Sequence, residues 1–430
     1  MFALGIMQVG ADCTYFPNLR QRVTLSDSSS EFGYSVASLG DVDGDLIVDM
    51  VIGAPDSGDT SYGDIWIIFF DNDGGHSSDQ RISSSAGDFT GTLEISDWFG
   101  NSVAGLGDLN ADSFVDVAVS AKNQNENYGA IYIIFLSNVG KCLSHQKISE
   151  SQGSLTAYIT GATTWFGRSL SALGDIDGDS TVDIVVGATA VDDGGTSYGA
   201  LFVIFLNPTG LCRSHQRISA LQGDFTAVLD QYAYFGRSST ELGDLNKDSF
   251  LDVAVGSYLD DGGTDRGAVY VIFLGPTALT LSHQKISDSS GDFTGDLDDN
   301  DYFGVSVGYV SDLNYDDVQE LLVGVDGDDN GNTNAGAVYL IFLTTSGTCL
   351  SNLKMSDTKG GFTGSLDDDD YFGSSVAMIG DLDGDGRSEL AIGAYGKDRV
   401  YILSDDSGII PLYKYHHSFT VVFVVTLFFK

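Results

Sequence analysis

A nine-residue acidic pattern recurs six times along the chain, beginning at Asp41, Asp108, Asp175, Asp244, Asp312 and Asp381. The interval is about 68 residues, the range in which a repeat is one propeller blade or one solenoid unit. A unit of that size cannot bury both of its faces alone, so the copies must pack on one another and the repeat decides the fold.

Each copy places side-chain oxygens at positions 1, 3, 5 and 9. The sets are Asp41, Asp43, Asp45 and Asp49; Asp108, Asn110, Asp112 and Asp116; and Asp175, Asp177, Asp179 and Asp183. The later three are Asp244, Asn246, Asp248 and Asp252; Asp312, Asn314, Asp316 and Glu320; and Asp381, Asp383, Asp385 and Glu389. Ca²⁺ is a hard cation that takes six to eight oxygens, and alternate residues of a tight loop aim carboxylates at one centre while a backbone carbonyl between them fills a gap. Position 7 is Ile47 in one copy and Thr181 in another, as suits a residue lending only its carbonyl. An EF-hand is excluded, because position 12 carries Ile52 or a similar strand residue rather than glutamate. Acidic turns screened only by solvent would leave carboxylates repelling one another at close range. The reading is therefore up to six calcium loops. Those at Asp41, Asp175 and Asp381 have glycine at position 4 and four carboxylates, whereas the others place Ala111, Lys247 or Tyr315 there and Asn at position 3, which predicts weaker binding.

The rest of the unit is built of short strands. A segment such as Tyr34-Ser35-Val36-Ala37-Ser38-Leu39 precedes the loop, and Met50-Val51-Ile52-Gly53-Ala54 follows it. A glycine-rich acidic turn then leads to a strongly apolar strand such as Ala200-Leu201-Phe202-Val203-Ile204-Phe205-Leu206, and a fourth strand such as Gln216-Arg217-Ile218-Ser219 completes the unit. Four short strands per unit without helical periodicity predict an all-β propeller of four-stranded blades. The chain opens the repeat region with a fourth-strand segment, Arg22-Val23-Thr24-Leu25-Ser26, and its last unit ends on a third strand, Arg399-Val400-Tyr401-Ile402-Leu403. Six blades closed by the N-terminal strand leave no long open edge. A seventh blade would have to draw strands from the tail.

Residues 1–20 form a lead with an apolar start but no basic segment, read as a possible signal remnant; residues 21–404 are the propeller; residues 405–430 are an apolar tail too short to span a bilayer. No direct membrane insertion is expected. Acidic residues outnumber basic ones 61 to 20, and six divalent ions would still leave a formal charge of −29 from −41, which excludes nucleic acid and anionic membranes as natural partners. Cys142, Cys212 and Cys349 occupy one place in three different repeats, so a ring holds them apart, and Cys13 has no evident mate.

Catalytic constellations are not found. Gly195-Thr196-Ser197-Tyr198-Gly199 and Gly304-Val305-Ser306-Val307-Gly308 fit a nucleophile-elbow spelling but lack the strand-to-helix turn that gives it meaning. His145, His215 and His283 recur in Ser-His-Gln at equivalent places and read as packing or surface residues of the repeat. The expectation is a protein that is not an enzyme.

Phe-Gly recurs at Phe32, Phe99, Phe166, Phe235, Phe303 and Phe372, always nine residues before the first Asp of the loop, and Gly53-Ala54-Pro55 follows the first loop. With the calcium loop between them, these segments resemble the FG-GAP repeat of integrin alpha-chain propellers, over roughly residues 21–403. The resemblance implies an extracellular or cell-surface, calcium-stabilised adhesion or ligand-binding propeller, a monomeric module with its ligand face opposite the calcium loops. On that face it would show Trp98, Trp165, Tyr234, Tyr302 and Tyr371, each just ahead of Phe-Gly, as aromatic contacts for a protein or glycan partner. Tyr62, Tyr128 and Tyr198 join them from the other loops, with Arg168, Arg237 and Arg266 as rare cations nearby. FG-GAP-like repeats also occur as non-catalytic modules of secreted carbohydrate- or lipid-active enzymes, the alternative setting.

Overall fold

The computed structural model describes residues 19–26, 31–57, 61–155, 163–260 and 264–405, so most of the N-terminal lead, Cys13 and the apolar tail lie outside the described residues. Six four-stranded antiparallel sheets form the blades of a propeller. Blade 1 is Ser35–Gly40, Asp49–Ala54, Asp64–Phe70 and His76–Ser83, and blades 2 to 5 repeat that order of strands along the chain. The innermost strands touch in succession, and that of blade 6, Phe372–Gly380, returns to that of blade 1.

Closure comes from the N-terminal strand. Leu19–Ser26 pairs antiparallel with Arg399–Asp405 and supplies the outermost strand of blade 6, with Val23 opposite Ile402 and Leu25 opposite Val400. The sixth blade thus borrows its fourth strand from the other end of the repeat region, and its third strand, Arg399–Asp405, is paired on both sides.

Burial follows from the layering. Second strands such as Asp183–Ala188 and third strands such as Ala130–Leu136 are buried along their whole length, because neighbouring blades cover both faces. Outer strands such as Cys142–Ser149 are buried only at their ends, with Leu143 and Ser144 exposed and His145 to Lys147 half-buried. Phe99, Phe166, Phe235, Phe303 and Phe372 of the Phe-Gly pairs are each fully enclosed. Phe99 stacks on Phe89 at 5.1 Å and meets Tyr132 edge-on at 5.8 Å, a pattern repeated by Phe235 with Phe225 and Tyr270. His145 and His283 pack on the same aromatic groups, at 4.9 Å from Phe89 and 5.1 Å from Phe225, which is why they recur. Cys142, Cys212 and Cys349 are buried free thiols, one to a blade.

The two halves of the repeat motif meet across blade boundaries. At Gly53, Gly187, Gly256, Gly324 and Gly393 an added Cβ would collide with the carbonyl oxygen of the Phe-Gly glycine of the next blade around the ring: Gly100, Gly236, Gly304, Gly373 and Gly33 respectively. In these five blades a serine three residues after the phenylalanine donates its hydroxyl to that same carbonyl, as Ser238 to Gly304 at 2.9 Å and Ser375 to Gly33 at 2.8 Å. Glycine is thus required by the close approach of two backbones. Blade 2 carries Ser120 at this place; there Asn101 Nδ2 donates to Gly167 O at 3.2 Å, and Ser120 Oγ accepts from the Ser102 N–H.

Two short helical turns, Gln124–Asn127 and the 3-10 turn Tyr395–Lys397, depart from the all-strand pattern, both in the loop after a second strand.

Candidate metal loops and ligand-binding face

Each innermost strand runs from its Phe-Gly pair to its acidic loop, so the six loops gather at one end of the ring and the Phe-Gly segments at the other. In the first loop Asp41 Oδ1 accepts the N–H groups of Gly44 and Asp45 at 2.7 and 3.0 Å, while its Oδ2 accepts that of Leu46 at 2.9 Å. Asp43 and Asp45 accept from the backbone two residues on. The position-5 and position-6 N–H groups bond the first Asp in the same way in the loops at Asp108, Asp175, Asp244, Asp312 and Asp381, whereas the position-4 bond recurs only at Gly178 and Gly384. Short acidic side chains satisfy their own turn in this way and are turned toward its centre.

Position 9 has a second task. Asp49 accepts the Val42 N–H through Oδ2 at 2.8 Å and the Phe70 N–H through Oδ1 at 3.3 Å, tying the loop to the end of the third strand. Asp116, Asp183 and Asp252 repeat both bonds, and Glu320 and Glu389 repeat the first. All six position-9 carboxyls are buried. Burial pushes Asp49, Asp116, Asp183 and Asp252 up to about 7 and Glu320 to about 8, against the pull of their backbone bonds and with help from the neighbouring carboxylates.

These residues fit a hard divalent cation. Asp41, Asp43 and Asp45; Asp175, Asp177 and Asp183; Asp312, Asp316 and Glu320; and Asp381, Asp383 and Asp385 each bring carboxylate oxygens within 4.8 Å of one another. Glu320 Oε1 is enclosed and has no hydrogen-bond partner. Oxygen-rich, partly desolvated groups of this kind are what Ca²⁺ neutralises.

The loops differ as their sequences imply. Gly44, Gly178 and Gly384 hold φ of +86°, +81° and +74°, and Ala111, Lys247 and Tyr315 are forced into the same left-handed region at 61°, 64° and 60°. Asn110, Asn246 and Asn314 each donate an amide hydrogen to the position-5 carboxylate, at 2.9 to 3.1 Å, partly occupying an oxygen offered to a metal. The loop at Asp175 is distinct in another way: Arg213 bonds Asp177 and lies 3.1 Å from Asp179, where blades 1, 2, 4 and 5 have Ser77, Leu143, Leu281 and Leu350. Lys247→Gly is expected to raise stability in chelator by about 0.5–1 kcal/mol by removing left-handed strain, net of glycine's entropy. Gly44→Ala should cost a similar amount, since a Cβ there meets nothing within 4 Å and only φ opposes it. Urea unfolding of both variants checks this; unchanged midpoints would remove the strain argument.

At the opposite end the residue before each Phe-Gly also takes the left-handed conformation, from Glu31 at 64° through Trp98, Trp165, Tyr234, Tyr302 and Tyr371, between 51° and 62°. The five aromatic residues are partly buried and join two arcs of rings. One runs Trp98, Tyr34, Tyr395, Tyr371 with centroids 6.0, 5.3 and 5.1 Å apart, the other Trp165, Tyr234, Tyr258, Tyr302 at 6.2, 5.8 and 5.7 Å. Lys122 links them: its Nζ lies 4.0 Å from the Trp98 ring centroid and 5.3 Å from that of Trp165.

Inside these arcs charged groups from different blades meet. Arg168 of blade 3 donates through Nη1 to Tyr34 Oη of blade 1 at 2.7 Å and to Asn101 Oδ1 of blade 2 at 2.8 Å. Arg237 of blade 4 faces Arg168, Tyr34, Tyr258 and Asp326. Residues of blades 1 and 4, opposite one another in a ring of six, come this close only at the axis. Burial, with repulsion from both guanidiniums, pushes Lys122 down to about 6, so the permanent positive charge here is that of Arg168 and Arg237. Asp326, also buried, is pushed up to about 6 against the attraction of those two arginines. Arg266 sits apart, paired with Asp288 and Asp299.

Sequence reasoning had placed Arg168 and Arg237 near this face but missed Lys122, Asp326, Tyr258 and Tyr395. Their signal is the place where otherwise alike repeats disagree. The residue after Phe-Gly reads Tyr34, Asn101, Arg168, Arg237, Val305 and Ser374, and the third residue of the Gly-Ala-Pro place reads Pro55, Lys122, Thr189, Tyr258, Asp326 and Tyr395.

Three stretches of the chain, residues 99–134, 236–272 and 372–410, match the FG-GAP repeat family. The chain is 29% identical to integrin alpha-5 of Xenopus laevis over 266 residues, covering 60% of this chain and 22% of that protein. It is 40% identical to integrin alpha-2 of Mus musculus over 92 residues, 21% of this chain and 7% of that protein, and 29% identical to integrin alpha-4 of Xenopus laevis over 163 residues, 38% and 15%. The chain thus matches less than a quarter of the length of each of these relatives.

Proposed function

We propose that this chain, an FG-GAP repeat protein resembling the N-terminal propeller of integrin alpha chains, is a calcium-stabilised extracellular propeller that binds a protein partner on the face opposite its acidic loops. The observation that carries this reading is the division of labour along the innermost strands: acidic loops at one end, four of them with converging carboxylates, and an aromatic and charged mouth at the other. The position-1, -3, -5 and -9 residues would hold Ca²⁺, which supplies only charge neutralisation and rigidity there; the chain's own backbone N–H groups orient the ligating oxygens. Loops at Asp41, Asp175 and Asp381 are proposed to bind more tightly than those at Asp108, Asp244 and Asp312. Half-buried tyrosine and tryptophan rings held at fixed angles are the side chains that dominate protein recognition, because they present large contact area at low entropic cost. Extracellular calcium would keep such loops filled, whereas a dilute calcium setting would not.

Surface-immobilised chain is expected to retain cells displaying the partner in millimolar calcium and to release them in EDTA. Retention that persists in EDTA would detach calcium from recognition, and no retention by any cell type tested would count against adhesion.

A further inference from the structure

The axial mouth combines two features that a merely structural cluster would not. The first is a guanidinium left without a bonded partner. The Arg237 side chain forms no hydrogen bond or ion pair with another described residue, and its Nε is fully enclosed. Its nearest favourable contact is the face of Tyr258, 5.6 Å from the guanidinium carbon. An enclosed donor left unused costs stability, and the buried carboxyl of Asp326, which faces Arg237, makes no ion pair with it. The second is the setting. In a chain with 61 acidic and 20 basic residues, two arginines converge on the axis, while exposed Asp298, Asp329, Asp368 and Asp369 stand in the loops at the Phe-Gly end of blades 5 and 6. The mouth thus holds two arginines beside the buried carboxyls of Glu31 and Asp326, both raised by burial, inside an exposed acidic rim.

The geometry points to the axial mouth as a receptor for a single carboxylate side chain, Asp or Glu, presented on an otherwise basic surface of a protein partner, with Arg237 as its principal ligand. This deepens the proposed binding function and rests on it. A carboxylate can accept two parallel hydrogen bonds from a guanidinium fork, which Arg237 has free, while Arg168 is fixed through Nη1 by Tyr34 and Asn101 and adds charge from the side. The aromatic arcs wall the site from water and strengthen that pairing. The acidic rim repels polyanions, so a lone carboxylate ringed by lysines or arginines satisfies centre and rim together where an acidic glycan chain satisfies the centre alone.

The test uses two capped peptides, Lys-Lys-Glu-Lys-Lys and the same sequence with Gln at its centre, titrated in millimolar calcium into the intact chain. Binding is read from tryptophan fluorescence, since two of the three tryptophans, Trp98 and Trp165, flank Lys122 at the mouth, and by calorimetry. The Glu peptide is expected to bind about tenfold more tightly than the Gln peptide, the worth of one charge-assisted pair. Arg237→Gln, which breaks no side-chain hydrogen bond to a described residue, should abolish that preference. Asp326→Asn, which removes the competing buried carboxylate, should enlarge it, and does so even if the arginine variant fails to fold. Equal binding of the two peptides would overturn the carboxylate receptor and leave a basic-partner face standing. No binding of either, while chelation still lowers the melting temperature, would overturn it and leave the calcium propeller intact. Tighter, Arg237-dependent binding of a glucuronate-terminated disaccharide would overturn the choice of a protein partner.

Discussion

Chelating calcium from the purified chain is expected to lower its melting temperature by on the order of 20 °C, the largest effect any single change of conditions should produce. Each loop filled at about a hundred times its dissociation constant adds roughly 2.7 kcal/mol to folding, and six filled loops would add on the order of 16 kcal/mol. The physical source is visible in the loops. Three or more carboxylate oxygens lie within 4.8 Å of one another in four of them, and the buried position-9 carboxyl is raised well above its ordinary range in five. Without a cation, folding must bring these groups together against repulsion and desolvation. Because Asp49 and its equivalents also tie the loop to the third strand, weakening the loop loosens the blade as well. Differential scanning calorimetry in EDTA against millimolar Ca²⁺ gives the result directly. Coincident transitions would show that the loops are empty turns and would withdraw calcium from the proposed function.

Gly256→Ala should destabilise the chain by about 3 kcal/mol or more, an exceptional cost for adding one methyl group. The added Cβ would press on the carbonyl oxygen of Gly304 in the next blade, which already accepts the Ser238 hydroxyl at 2.9 Å. Relief would require blades 4 and 5 to part, breaking that bond and exposing fully buried Phe303. The control is Gly44→Ala, also a glycine-to-alanine change, whose expected cost is several times smaller because no atom opposes its Cβ. Urea unfolding of both in saturating calcium separates a steric rivet from general glycine flexibility. Similar midpoints for the two variants would show that the blade boundary yields at little cost.

Much of this molecule was legible in its residues. The acidic pattern counted the blades because each copy is a local device: Asp41, Asp43 and Asp45 satisfy backbone groups two to five residues away, so spacing alone specifies the loop. Ring closure was legible too, since the leftover strand before the first repeat and the missing strand of the last are complementary, and Leu19–Ser26 does pair with Arg399–Asp405. The reason for Phe-Gly and Gly-Ala was not, because the contact that requires both glycines lies between consecutive blades; read singly, each looks like an ordinary turn or strand residue. The mouth was least legible of all. Arg168 reaches Tyr34 across 134 residues, and Arg237 and Asp326 face one another from different blades. Repetition fixes what every blade shares, namely a short-range pattern of burial, turn and ligand. What the blades do not share acquires meaning only when the ring closes and brings six unlike side chains to one axis, and that juxtaposition belongs to the tertiary structure.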